Sequence, residues 1–310
     1  YGGGPMSGMV EAQRVSLPGA GLRLAADRWA PREAGLDPKG VVVLLHGGGQ
    51  TRHSWRRTGE RLAADGWVAY SVDLRGHGDS DWSADGDYGM EVMIGDLREL
   101  VAHIRSVEPQ VPLTLVGASL GGKVSLIALG EDPALAEALV LVDIAVRVER
   151  NGAGRVKAFM QGAPEGFGSL EEAAAAVSAY NPHRSRTGSL DGLRKNLRLR
   201  NGRWHWHWDP AMMRLDRPAD EDVDSAMSEA IYARSRAASR QIQQPVLLVR
   251  GVQSDVISDA GVAEMRELIG HISVVDVREA GHMVAGDDND IFTANLLTYL
   301  DEALQPSAKE

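Results

Sequence analysis

The stretch that decides the fold is Val111-Pro112-Leu113-Thr114-Leu115-Val116-Gly117-Ala118-Ser119-Leu120-Gly121-Gly122. Val111 to Val116 is a short apolar run of the kind that forms a strand buried on both faces, and Leu120 to Leu129 reads as a helix stopped by Gly130. The chain has only Gly117 to Ser119 in which to change from one to the other, so it must turn sharply. Strand and helix approach closely around such a turn, and only small residues fit. Gly117 and Gly121 flank Ser119 at two residues on either side, and Gly122 extends the allowance. A serine held there projects its hydroxyl from the sheet edge at a helix N-terminus, where free N–H groups stabilise developing negative charge. Ser119 is the candidate nucleophile; the competing reading is a plain serine in a glycine-rich turn.

Working outward, strands alternate with helices on both sides of this turn, the pattern of a largely parallel sheet covered on both faces. Val15 to Trp29 alternates around Pro18-Gly19 as an opening antiparallel hairpin would. Val41 to Leu45 is a buried strand that runs into His46-Gly47-Gly48-Gly49. A helix is expected from Trp55 to Asp65, a strand from Trp67 to Asp73, a helix from Tyr88 to Ser106 and a strand from Ala138 to Val142. From about Ala145 to Gln244 the rhythm breaks into a charged, alanine-rich, mostly helical stretch without a strong buried strand. Strands at Pro245 to Val249 and Ile272 to Val277, and helices at Val262 to Leu268 and Ile291 to Leu304, then resume the pattern. The expectation is one α/β unit, residues 9–144 and 245–306, around a mostly parallel eight-stranded sheet. Residues 145–244 form a helical cap (lid) over the carboxyl ends of the strands, where open α/β sheets bind ligands. Residues 1–8 read as a tag remnant, with Met6 or Met9 as the natural start.

Composition narrows the class. The 310 residues are 44% hydrophobic and 25% charged, an ordinary globular balance, with a formal charge of -10 and no cysteine. A net acidic chain makes a poor general nucleic-acid binder. No apolar run approaches the ~20 residues that span a bilayer. The absence of cysteine removes disulfides and thiolate metal sites, and fits a cytoplasmic protein.

A serine nucleophile needs a base, an orienting acid and an oxyanion hole. Of nine histidines, His282 in Gly281-His282 follows the last expected strand and precedes the final helix, which puts it on a loop at the edge that carries Ser119. Asp255 follows the strand before it and lies between serine and histidine in chain order; Asp143, at the end of another strand, is the alternative acid. The glycines after His46 let a backbone N–H approach an oxyanion, so Gly48 and Leu120 are the expected donors. The competing reading, a nucleotide-phosphate loop, lacks the Gly-Lys-Ser/Thr ending.

Together, the His46-Gly47-Gly48-Gly49 loop, Asp73-Leu74-Arg75-Gly76-His77-Gly78-Asp79-Ser80, the serine turn, Ser254-Asp255 and Gly281-His282 resemble the α/β-hydrolase superfamily. The likeness is to its bacterial branch of lidded carboxylesterases, epoxide-hydrolase-like and haloperoxidase-like proteins. The resemblance implies an α/β-hydrolase fold, a small-molecule ester substrate, an acyl-enzyme intermediate, and no cofactor or metal. Relatives that open epoxides or haloalkanes carry Asp as nucleophile, so Ser119 argues against those activities. A perhydrolase, an acyltransferase or a C–C hydrolase could use the same residues, and a non-catalytic ligand-binding relative is the reading from another class.

Two features lie within the cap. Trp204-His205-Trp206-His207-Trp208, if extended, puts three indoles on one face and two imidazoles on the other. Burial of the tryptophans, an aromatic pocket wall, or a His205/His207 metal pair are the readings open to it. Arg184, Arg186, Arg194, Lys195, Arg198, Arg200 and Arg203 crowd into a stretch whose one acid is Asp191. They form either a solvated helix face paired with acidic neighbours or a lure for carboxylate-bearing esters such as diacid monoesters.

Overall fold

The computed structural model describes residues 10–33, 35–148, 150–180, 190–213, 220–251, 256–277 and 290–304. The opening hairpin forms as β1 (Gln13–Pro18) and β2 (Arg23–Trp29), paired antiparallel. β3 (Val41–Leu45), β4 (Val68–Val72), β5 (Leu113–Ala118), β6 (Ala138–Val142), β7 (Val246–Gly251) and β8 (Ser273–Val277) complete an eight-stranded sheet in the order β1-β2-β4-β3-β5-β6-β7-β8. From β4 to β8 every pairing is parallel, while β2 joins β4 antiparallel. β5, which runs into the Ser119 turn, sits near the centre, and all the parallel strands end on one edge.

The central strands read as unbroken apolar runs because both faces are covered. Val41, Val43 and Leu45 of β3 face α2 (Met90–Val107) and α3 (Leu120–Glu131), whereas Val42 and Leu44 face α1 (Arg56–Ala64). The α1 side is filled by Trp29, Trp55, Trp67 and, from the final helix (Asp290–Leu304), Phe292, Leu296 and Leu300. Trp55 and Phe292 meet with ring centroids 5.6 Å apart.

Between β6 and β7 the chain runs through two helices, α4 (Arg150–Gln161) and α5 (Leu170–Tyr180), and a short helix at Leu190–Arg194. A hairpin of two strands, Leu197–Arg200 and Arg203–Trp206, follows, and then the long α6 (Glu221–Gln241). The hairpin corrects the expectation of a helical basic face: Arg198, Arg200 and Arg203 lie on strands. Leu197-Arg198-Leu199-Arg200 does alternate, but Leu199 is exposed, so no apolar run announces a strand. The first turns of α6 are exposed throughout, whereas Ser235, Ala238 and Ser239 are buried. Ala238 lies directly against Gly130, so that end of α6 packs on α3 as part of the core.

Candidate active site

Ser119 occupies the junction between β5 and α3 with φ 48° and ψ −113°, in the left-handed half of backbone space that costs a residue with a Cβ about 1–3 kcal/mol. Close packing holds it there. A Cβ on Gly117 would stand 2.5 Å from the Gly121 carbonyl, and one on Gly121 would stand 2.5 Å from the Leu45 carbonyl oxygen. The Ser119 N–H donates to Val142 O at 3.3 Å, and Gly121 N–H donates to His46 O at 3.2 Å, tying the turn to strands on either side. The Ser119 hydroxyl does not cap the helix it precedes and has no hydrogen-bond partner among the described residues. Leu120 N–H, the first of α3, has no intrahelical acceptor and no partner among the described residues.

The glycine loop lies against this serine: a Cβ on Gly47 would stand 3.3 Å from Ser119 Cβ. Gly47 N–H donates to Gln50 Oε1 at 3.2 Å, and Gly49 N–H donates to His77 Nε2 at 3.0 Å. Gly48 N–H is the one of the three without a partner among the described residues. Leu120 Cδ2 and Met160 Sδ flank Gly48, each 3.8 Å from where its Cβ would be. Met160 comes from α4 and is buried, so the inserted segment supplies an apolar wall beside the Gly48 N–H. Sequence reasoning missed Met160, because nothing in a helical stretch marks which residue reaches the sheet edge.

His46 and His77 are both fully buried, 4.9 Å apart edge to face. Burial pushes His46 down to about 4; burial, with His46 adding to it, pushes His77 down to about 3. Nearby, buried Arg52 gathers three carboxylates: Asp73 at 2.5 Å, Asp79 at 2.8 Å and Asp27 at 3.1 Å. These contacts drive the guanidinium's pKa upward despite the cost of burial. Lys123, one turn along α3 from Ser119, is also buried and donates to Ala145 O and Val146 O at 2.9 Å each; burial lowers it to about 8.

Ser119, Gly48 and Leu120 are thus brought together. Asp255 and His282 lie outside the described residues, as do Arg184 and Arg186. The strands that precede Asp255 and His282 in the chain, β7 ending at Gly251 and β8 at Val277, end on the same sheet edge as β5, which runs into Ser119. Asp143 is fully buried just past β6, with φ 54° and its N–H on Val249 O at 2.8 Å.

In the hairpin, Trp206 packs against Phe159 and Phe167 at 5.5 and 5.6 Å between centroids, and Trp208 is buried. Arg194 lies over the Trp204 ring, Arg198 reaches Asp79 at 3.3 Å, and Arg203 donates to the carbonyls of Glu165 and Gly166. Part of the basic stretch is therefore spent on local pairing. Among the described residues no group of three or more His, Cys, Asp or Glu could hold a metal ion, and no helix is long and apolar enough to cross a membrane.

Comparison with known proteins agrees with this geometry. The profile of the alpha/beta hydrolase fold family matches residues 40–288. The chain belongs to the α/β-hydrolase family. It is 31% identical to esterase Rv0045c of Mycobacterium tuberculosis, over 90% of this chain and 85% of that protein. It is 28% identical to N-formylmaleamate deformylase of Pseudomonas putida, over 85% of this chain and 90% of that protein. The crystal structure of E-2-(acetamidomethylene)succinate hydrolase superposes with a TM-score of 0.77 at 20% identity, covering 94% of this chain and all of that one, a likeness of fold. This α/β-hydrolase is a hydrolytic enzyme with esterases among its relatives.

Proposed function

We propose that this α/β-hydrolase is a serine esterase. Ser119 attacks the ester carbonyl, and His282 takes its proton and returns it to the leaving alcohol. Asp255 orients His282 and stabilises the imidazolium. The Gly48 and Leu120 N–H groups hold the oxyanion, and water releases the acyl group. One observation carries the reading: among the described residues, a serine hydroxyl without a partner in a strained turn, beside a loop whose flanking N–H groups are occupied and whose central one is not. The chain order Ser, Asp, His and the common strand edge support the other two assignments. The division into sheet unit and insertion, expected at 144 and 245, belongs to the same proposal, and the packing of Ala238 on Gly130 argues for moving the second boundary back into α6.

For substrate, the reading is a small ester with a distal carboxylate. Leu120 and Met160 beside Gly48 suit a compact acyl group. Exposed Lys195 and Arg200 in a chain of charge -10 suit an anion. N-formylmaleamate, named in the Pseudomonas putida relative, carries a carboxylate.

One experiment tests both levels. A fluorophosphonate probe should label wild type at Ser119 alone, and Ser119→Ala should abolish labelling and lower kcat/KM by about 10⁴-fold or more. Labelling that survives the substitution would overturn the mechanism. In the same assay at low salt, a carboxylate-bearing nitrophenyl ester should exceed a neutral ester of equal size in kcat/KM. Equal values would remove the anionic preference and leave the esterase standing.

A further inference from the structure

His46 and His77 belong to different loops, and each accepts a backbone N–H from the other's loop. Leu74 N–H donates to His46 Nε2 at 3.0 Å, and Gly49 N–H donates to His77 Nε2 at 3.0 Å. A backbone N–H is only ever a donor, so both Nε2 atoms are unprotonated. Each proton therefore sits on Nδ1, where the neighbour is a carbonyl oxygen in both cases: Gly47 O at 2.7 Å for His46 and Arg75 O at 3.0 Å for His77. The two rings close a lock with every ring nitrogen satisfied and no charge.

The loop of His77 also seats the inserted hairpin. Gly78 N–H donates to His207 O and Asp209 N–H donates to Gly76 O, both at 2.7 Å, and Tyr88 OH donates to Asp209 at 2.5 Å. Asn196 at the foot of the hairpin receives a hydrogen bond from Thr51, just beyond the glycine loop. The route from hairpin to oxyanion loop is therefore short: His207 and Asp209, then Gly76 to Gly78, then the His77 ring, then Gly49.

We propose that His77 is a positioning residue: by its reciprocal exchange with His46 it holds Gly48 N–H toward the reacting carbonyl and couples that N–H to the seating of the hairpin. The inference rests on the assignment of Gly48 as an oxyanion donor. Without the His77 acceptor, Gly49 N–H loses its buried partner, and the loop swings while Ser119 stays in its own turn.

The test compares wild type with His77→Phe, which keeps a ring and loses the acceptor, and His77→Gln, whose amide oxygen can replace Nε2. Loss of an oxyanion donor costs about 10²–10³ in kcat. His77→Phe should fall within that range with KM within about threefold of wild type, and inhibition by a phenyl trifluoromethyl ketone, which forms an oxyanion on the serine, should weaken in step. His77→Gln should recover at least tenfold of the loss. A kcat for folded His77→Phe within about threefold of wild type would overturn the proposal, and so would a loss confined to KM. Should His77→Phe not fold, ¹⁵N spectra of wild-type histidines decide. Nδ1–H tautomers at both positions support the lock, and an Nε2–H tautomer at His77 refutes it. That spectroscopic readout stands even if Ser119→Ala retains full activity and the esterase reading itself fails.

Discussion

Ser119 owes its conformation to neighbours that have no side chains. At Gly121 the atom a Cβ would meet is the Leu45 carbonyl oxygen, and Leu45 is the last residue of the strand that delivers the glycine loop. Gly121→Ala must therefore push the turn away from β3. It should cost about 1–3 kcal/mol in stability, the usual range for overpacking a core, and slow fluorophosphonate labelling of the folded protein. A melting temperature and labelling rate equal to wild type would mean that the turn has slack. The serine and its glycines were legible in sequence because their constraint is local and repeats wherever a strand must enter a helix at once. The roles of His46 and His77 were not. Both of their Nε2 bonds join residues 28 apart in sequence, and only the sheet register brings those loops together.

At the level of elements, the loop after β4 joins strand, glycine loop and insertion, and Arg52 is its anchor. Its guanidinium contacts buried Asp73 and the more exposed Asp79, and its N–H donates to Asp73 Oδ1 at 2.6 Å. Arg52→Met would leave Asp73, with no exposed surface at all, facing an apolar chain. Breaking a buried pair from one side costs about 3–5 kcal/mol, so the denaturation midpoint should drop accordingly. A change below about 1 kcal/mol would mean that water reaches Asp73 and carries its charge. The sheet strands were readable because burial on both faces leaves nearly unbroken apolar runs. The extended reading weighed for Trp204 to Trp208 meets the second strand of the hairpin, whereas the first, Leu197 to Arg200, escaped because its outer positions hold arginine and the two strands pair only with each other. Its charge density looked like a helix face, and only pairing identifies it as sheet.

For the whole molecule, acid is the revealing condition. His46 and His77 ionise near their ordinary 6.5 in the unfolded chain but at about 4 and about 3 when folded. Among the described residues, the titratable group beside His46 is His77, and those beside His77 are His46 and Asp73. Above about pH 7.5, a unit beyond the unfolded value, both are essentially neutral in either state and contribute no pH dependence. Below it the unfolded chain takes up two protons that the folded chain refuses, so stability falls as pH falls, by up to about 1.4 kcal/mol per pH unit for each histidine. The decline flattens as pH passes about 4 and then about 3. Urea midpoints measured from pH 7 to 4 should trace this slope, and His77→Phe should remove part of it; a flat profile between 6.5 and 4.5 would refute the neutral pair. The end of α6 holds a different lesson, for anyone exchanging parts between relatives. Because Ala238 is lodged against Gly130, the inserted stretch does not finish where the chain re-enters the sheet. A graft that swaps specificity while sparing the scaffold should splice within α6, between its exposed first turns and Ser235, so that the recipient keeps its own helix-to-helix seam.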